Sequence, residues 1–168
     1  MPEGKTLYLM RHADASWLET GQRDFDRPLS SLGKIHAQEM NGRLGERGIR
    51  ADVILSSPAK RAIETLEFIR GNVGIPSSKV GFEESIYEAD VSDLLTIIHA
   101  LEDRHTSALI IGHNPALTWL INKITPVNIA NAPAGTFASI HIATPRWQDF
   151  GSVDATLIDF DYPGKRSR

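Results

Sequence analysis

A chain of 168 residues is long enough to bury a sizeable core, and 41% hydrophobic with 23% charged residues is the composition of an ordinary globular protein. A net charge of −3, with no basic run before Lys165-Arg166-Ser167-Arg168, argues against a nucleic-acid partner. The absence of cysteine excludes disulfides, thiolate metal sites and any phosphatase that attacks with a thiolate.

The first residues, Met1-Pro2-Glu3-Gly4-Lys5, form no apolar leader, and no uninterrupted apolar stretch approaches the roughly 20 residues of a membrane helix. Neither secretion nor a membrane partner is expected, and a cytoplasmic location is. The basic tail reads as solvated terminus.

Strands and helices alternate, which predicts an α/β fold over residues 1–168 as a single domain. The expected architecture is a three-layer α/β/α sandwich with a mainly parallel central sheet and an antiparallel C-terminal strand pair. The first strand spans about Thr6–Met10. A polar loop, Ala13 to Pro28, is long enough to be functional.

Ser30-Ser31 can cap a helix to about Arg47, with Leu32, Ile35, Met40 and Leu44 on one face and Gly48 closing it. The second strand is Val53–Ser56. Ser57-Pro58 reads as N-cap and first position of a helix to about Arg70, with Ile63, Leu66 and Ile69 inward and Gly71 and Gly74 ending it.

A weak strand, Val80–Glu83, precedes a loop from Glu84 to Val91. Ser92 then caps a helix that buries Leu94, Leu95, Ile98 and Leu101. The fourth strand is Ala108–Ile111, and Asn114-Pro115 caps a helix containing Leu117, Leu120, Ile121 and Ile124. Phe137–Ala143 and Ala155–Phe160 are β-prone with no helix between them. They predict an antiparallel pair joined by a loop holding Trp147.

Three strand ends carry the chemistry. Met10-Arg11-His12-Ala13 follows the first strand, Ser56-Ser57-Pro58 leads to Arg61, and Ile111-Gly112 leads to His113. Ligands of open α/β sheets sit outside the carboxyl ends of the strands, so these side chains can converge. Two guanidiniums and two imidazoles in one pocket suit a dianionic phosphoryl group, because arginine presents a rigid donor fork to its oxygens. Helices starting at Ser57-Pro58 and Asn114-Pro115 add N–H groups there. A nucleophilic histidine must be neutral, and nearby cations lower its pKa. Its other ring nitrogen is expected to donate to a backbone carbonyl, which would fix the tautomer.

Taken in order, Leu9-Met10-Arg11-His12, Ser56-Ser57-Pro58-Ala59-Lys60-Arg61-Ala62-Ile63-Glu64-Thr65 and Ile111-Gly112-His113-Asn114-Pro115 resemble the signature of the histidine phosphatase (phosphoglycerate mutase-like) superfamily. Within it the chain resembles the short SixA-type phosphohistidine phosphatases. Asp26-Arg27-Pro28-Leu29, Ile86-Tyr87-Glu88-Ala89 and Gly112-His113-Asn114-Pro115 carry that likeness, and there is no room for the long helical insertions of mutases and sugar phosphatases.

The resemblance implies that His12 attacks phosphorus and becomes phosphohistidine, while Arg11, Arg61 and His113 hold the equatorial oxygens. Water then attacks the phosphoenzyme. Arg27 lends a further cation. Fixed cations take the place of Mg²⁺, so no metal or other cofactor is expected.

Many members place an acidic residue after the third strand to protonate the leaving group. Here that position falls on Glu84 or Ser85, with Glu83 and Glu88 nearby, and Glu84 is the candidate acid. A departing alcohol needs a proton more than a departing imidazole does. A weakly specified acid therefore fits a phosphohistidine substrate better than a phosphomonoester.

The function expected is hydrolysis of phosphohistidine on a partner protein, as in signal transduction. The alternatives are a small-molecule phosphomonoesterase acting on a phosphorylated metabolite and a non-catalytic phosphate-binding module. His12-Ala13-Asp14 resembles a metal-ligand pair, but no second cluster of His and Asp follows it. Asp24-Phe25-Asp26 has no strand before it, and Asp159-Phe160-Asp161 comes too late in the chain for an aspartyl-phosphate enzyme. The latter reads as a terminal strand with outward carboxylates. His36, His99 and His141 read as surface, boundary or packing residues, and His105 as solvated.

Overall fold

The structure is a computed structural model that describes residues 4–17, 19–74 and 79–165. The expectations for the leader and for most of the basic tail concern residues 1–3 and 166–168, outside the described residues. The described elements run β1 (Lys5–Arg11), a 3-10 turn (Asp24–Asp26), α1 (Ser31–Glu46), β2 (Val53–Ser56), α2 (Lys60–Val73) and β3 (Val80–Phe82). There follow α3 (Glu84–Tyr87), α4 (Val91–His99), β4 (Ser107–Gly112), α5 (Ala116–Ile124), β5 (Phe137–Ile142), a second 3-10 turn (Trp147–Asp149) and β6 (Ala155–Asp161).

The described strands form one sheet in the order β3-β2-β4-β1-β5-β6. The first four in that order are parallel; β5 joins β1, and β6 joins β5, antiparallel. This is the expected mixed sheet.

Successive side chains along a strand face opposite ways, so two cores form. Leu7, Leu9, Ala108 and Ile110 meet Leu94 and Ile98 of α4 and Leu117, Leu120 and Ile121 of α5. Met10, Ile54, Leu109 and Ile111 meet Met40 and Leu44 of α1 and Leu66 and Ile69 of α2. Each large side chain buried this way contributes about 1.5–3 kcal/mol. Trp147 is wholly buried in the first core and donates its indole N–H to the His105 carbonyl at 3.0 Å.

Register places the site. Arg11 of β1 stands opposite Gly112 of β4, and Ser56 of β2 opposite Ile111, so three strands end together. The segment before β5 reaches the same edge, where Arg11 N–H donates to the Thr136 carbonyl at 2.9 Å. The chain leaves β1 toward β2 on one side, and α5 leads to β5 on the other. The His12 edge therefore lies where the order of connection reverses, the usual position for a ligand crevice.

Several local expectations are corrected. Leu32 and Ile35 are 52% and 64% exposed, and α1 instead buries Gly33, Ala37, Met40 and Leu44. The buried face begins with small residues because the helix presses on the loop after β1: a Cβ added at Gly33 would stand 1.9 Å from the Asp14 carbonyl oxygen.

Helix α2 begins at Lys60 rather than at Pro58, contains Gly71, and ends on Gly74 at φ +70°. Ser57 Oγ instead accepts from Ala59 N–H at 3.1 Å. The expected loop at Glu84–Val91 contains α3. Asp90, not Ser92, caps α4 in a capping box with Asp93, while Leu95 and Leu101 are only partly buried. His105 is buried, not solvated.

Asp161 is buried, not outward. It accepts from Arg43 at 2.8 Å and Arg47 at 2.7 Å and ties β6 to α1, while Asp159 pairs with Arg47 at 3.1 Å. A buried carboxylate needs such partners, and α1 and the residue just past its end supply them from more than a hundred residues away.

Because the Gly33 contact is with backbone, it cannot relax by a rotamer change. Gly33→Ala is expected to lower stability by about 1–3 kcal/mol in urea denaturation. Wild-type stability for this variant would contradict the close approach.

Candidate active site

At the carboxyl ends of β1, β2 and β4 lies a pocket of about 390 Å³, lined among others by Arg11, His12, Arg27, Arg61, His113 and Asn114. Thus five of the six residues singled out from the sequence come together. The sixth, Glu84, is exposed at the start of α3 and is not among the lining residues; Glu83, Ser85 and Glu88 are exposed as well. Among the lining residues described, the carboxylate is Asp14, whose Oδ2 accepts from Ser30 Oγ at 2.6 Å. Trp17 stands at the mouth, 89% exposed.

His12 is pinned on all sides. Its backbone N–H donates to the Gly112 carbonyl at 3.2 Å, and its carbonyl accepts from Gly135 N–H at 2.9 Å. The next residue, Ala13, donates its N–H to Thr65 Oγ1 at 3.0 Å, and that hydroxyl donates to the Arg61 carbonyl at 2.8 Å. Thr65 of α2 thereby links the His12 loop to the turn that carries Arg61.

His12 Nδ1 lies 2.7 Å from the Ala13 carbonyl oxygen. A carbonyl only accepts, so Nδ1 carries the ring proton. In a neutral ring, the lone pair then sits on Nε2. Arg61 Nε–H points to that atom at 3.4 Å.

Burial pushes the His12 pKa down to about 4; the Ala13 hydrogen bond opposes the shift, and Arg61, Arg11 and Arg27 add to it. Burial likewise pushes His113 down to about 3, with His12 and Arg61 contributing. The two rings lie 5.1 Å apart, centroid to centroid. His113 Nε2 is 2.7 Å from Ser57 Oγ, so the strand-two turn expected to cap a helix also holds an imidazole. Arg11 Nη1 donates to the Ala132 carbonyl at 2.8 Å, which anchors its guanidinium on the segment before β5. Asn114 Oδ1 accepts from Thr118 N–H at 3.2 Å and so braces the start of α5.

The charge distribution includes a residue that sequence reasoning set aside. Asp24, in the first 3-10 turn, accepts from Arg61 Nη2 at 3.0 Å, from Arg27 Nη1 at 3.1 Å and from Tyr87 Oη at 2.6 Å. The Tyr87 hydrogen bond and the two arginines hold its carboxyl well below the usual carboxylate range. Asp24 therefore stays ionised beside the pocket. The available signal was its place three residues before Arg27 in the loop after the Arg-His pair.

An uncharged imidazole with an available lone pair, set among guanidiniums, is suited both to binding an anion and to attacking it. Among the described residues there is no group of three or more His, Asp or Glu side chains arranged to hold a metal ion. No described helix is long and apolar enough to cross a membrane.

The fold and site together define an α/β protein with a cation-lined pocket at the carboxyl ends of its parallel strands. The sequence model of the histidine phosphatase superfamily (branch 1) matches residues 7–97, and the chain belongs to that superfamily. Phosphohistidine phosphatase SixA of Escherichia coli is 30% identical over 121 residues, covering 71% of this chain and 74% of that protein.

An uncharacterized chloroplastic protein of Arabidopsis thaliana is 38% identical over 96 residues, 56% of this chain; the match spans only 44% of that relative's length. A solved protein of Nakamurella multipartitia that carries the SixA name superposes with a TM-score of 0.81 at 25% identity, covering 98% of this chain and 100% of that one. Family and fold together support phosphatase activity.

The buried neutral rings make stability depend on pH. On unfolding, His12 returns to an ordinary value near 6.5, so below that pH the unfolded chain binds more protons than the folded one. The stability contributed by the neutral ring is complete above about pH 6.5 and is lost as pH falls toward 4. Urea denaturation between pH 7 and pH 5 should show a loss on the order of 1–2 kcal/mol from His12, and His12→Asn should flatten the slope. A slope unchanged in that variant would count against a neutral His12.

Proposed function

We propose that this chain is a phosphatase that works through a covalent phosphohistidine on His12 and acts on phosphohistidine carried by a partner protein. The observation that carries the proposal is the His12 Nε2 lone pair, fixed by the Ala13 hydrogen bond and directed into a pocket lined by Arg11, Arg27 and Arg61. His12 Nε2 donates its lone pair to phosphorus, and the bond from phosphorus to the leaving group breaks. Arg11, Arg61 and His113 hold the three equatorial oxygens as charge moves onto them. A water oxygen then bonds to phosphorus, the P–Nε2 bond breaks with its electron pair returning to Nε2, and the water's protons remain on the oxygens of the departing inorganic phosphate. This sequence needs no metal.

The substrate reading rests on the leaving group. The candidate acid Glu84 stands outside the lining residues, Asp24 is held ionised by Tyr87, Arg27 and Arg61, and the lining carboxylate, Asp14, is engaged by Ser30 Oγ. An imidazole leaves with less proton assistance than an alcohol, so such a site favours a P–N bond. The SixA relatives carry the same substrate in their name. The open pocket mouth beside exposed Trp17 would admit a side chain presented by another fold. The small-molecule phosphomonoesterase is the second reading.

Brief incubation with a phosphohistidine protein, followed by denaturation, should leave acid-labile, base-stable phosphate on the chain. His12→Ala should abolish it, and retained label in that variant would contradict the mechanism. The substrate class is tested by kcat/KM on a phosphohistidine protein and on phosphomonoesters. Glu84→Gln is expected to change phosphohistidine turnover by less than about twofold. A preference for phosphomonoesters, slowed tenfold or more by Glu84→Gln, would favour the second reading.

A further inference from the structure

The structure assigns Asp24 as a positioning residue: its carboxylate and carbonyl hold Arg61, and its carboxylate holds Arg27, so that the two cations are presented to the phosphoryl group in fixed orientations. This deepens the proposed function and rests on it for the role of the pocket as a phosphoryl site.

Arg61 leaves the first turn of α2 and is almost wholly buried. Its three nitrogens divide between two tasks. Nε faces His12 Nε2 at 3.4 Å, whereas Nη1 donates to the Asp24 carbonyl at 2.7 Å and Nη2 to Asp24 Oδ2 at 3.0 Å. Two bonds from one residue fix the plane of the guanidinium. The edge carrying Nε is thereby aimed at the atom that would bond to phosphorus.

The other carboxylate oxygen, Oδ1, accepts from Arg27 Nη1 at 3.1 Å, and Arg27 Nε donates to the Ser16 carbonyl at 2.8 Å. One anion therefore orients two cations from two different elements. Without it, the guanidiniums of Arg61 and Arg27 would repel one another across an empty pocket.

Asp24 is itself held by a third element. Tyr87 at the end of α3 donates its hydroxyl to Oδ2 at 2.6 Å, and the Phe25 ring meets the Tyr87 ring edge-on at 5.0 Å. The short helix in place of the expected loop thus holds down the 3-10 turn that carries Asp24. Because Asp24 is not among the lining residues, it acts through the arginines, not on the substrate.

The test is a double-mutant cycle read by binding of orthovanadate, which requires no turnover. Wild type, Asp24→Ala, Arg61→Ala and the double variant are titrated calorimetrically, with near-ultraviolet circular dichroism confirming native packing. Asp24→Ala alone is expected to weaken vanadate binding about tenfold, and by only about threefold, the part carried through Arg27, when Arg61 is already alanine.

Asp24→Asn, which keeps the shape and an acceptor oxygen, should recover part of the loss and serves in place of the alanine variant if that fails to fold. Equal losses in both backgrounds, or no loss in the single variant, would overturn the assignment. Absence of a phosphoenzyme on wild type would instead overturn the proposed function. It would leave the vanadate cycle as an independent test of Asp24.

Discussion

The hydrogen bond from His12 Nδ1 to the Ala13 carbonyl, 2.7 Å long, is the contact on which the rest of the site depends. It decides which ring nitrogen keeps a lone pair. A bond of this kind contributes only about 1 kcal/mol net, but its geometric consequence is large because the alternative tautomer would leave Nε2 blocked by hydrogen. The Ala13 carbonyl can serve only if the loop after β1 is rigid. That rigidity comes from Thr65 on α2, from Gly112 at the end of β4 and from Gly135 before β5. Three separate stretches of chain thus converge on two residues, and the parallel register of β1 with β4 and the antiparallel pairing of β1 with β5 bring two of those partners to the same edge.

Electrostatics then builds outward from that ring. Burial and three guanidiniums hold His12 neutral, and a site so rich in fixed cations would be unstable without counter-charge. Asp24 supplies it for Arg61 and Arg27, and Asp14 adds a second carboxylate at the wall. The placement of the anions matters as much as their number. Asp24 binds the far side of the Arg61 fork and leaves the near side directed at His12, so neutralisation and orientation come from the same contact.

Legibility in the sequence followed from how local the physics was. The alternation of strands and helices predicted the sheet and its antiparallel end, and Arg11, His12, Arg61 and His113 were visible because each sits at a fixed offset from a strand end. The buried face of α1 was misread because Gly33 and Ala37, which do the packing, are less hydrophobic than exposed Leu32 and Ile35. Asp161 reads as outward because its partners, Arg43 in α1 and Arg47 just past the end of that helix, are distant in sequence. Asp24 carries no periodicity, its place three residues before Arg27 is a weak local signal, and the folding of the long first loop over α2 brings it to Arg61.

The most direct test of this account is the protonation pattern of one ring. Nitrogen-15 NMR of His12 at pH 6 should show a protonated Nδ1 and an unprotonated Nε2, well on the neutral side of an ordinary histidine. A doubly protonated imidazolium at that pH, or a proton on Nε2 with the lone pair on Nδ1, would contradict it.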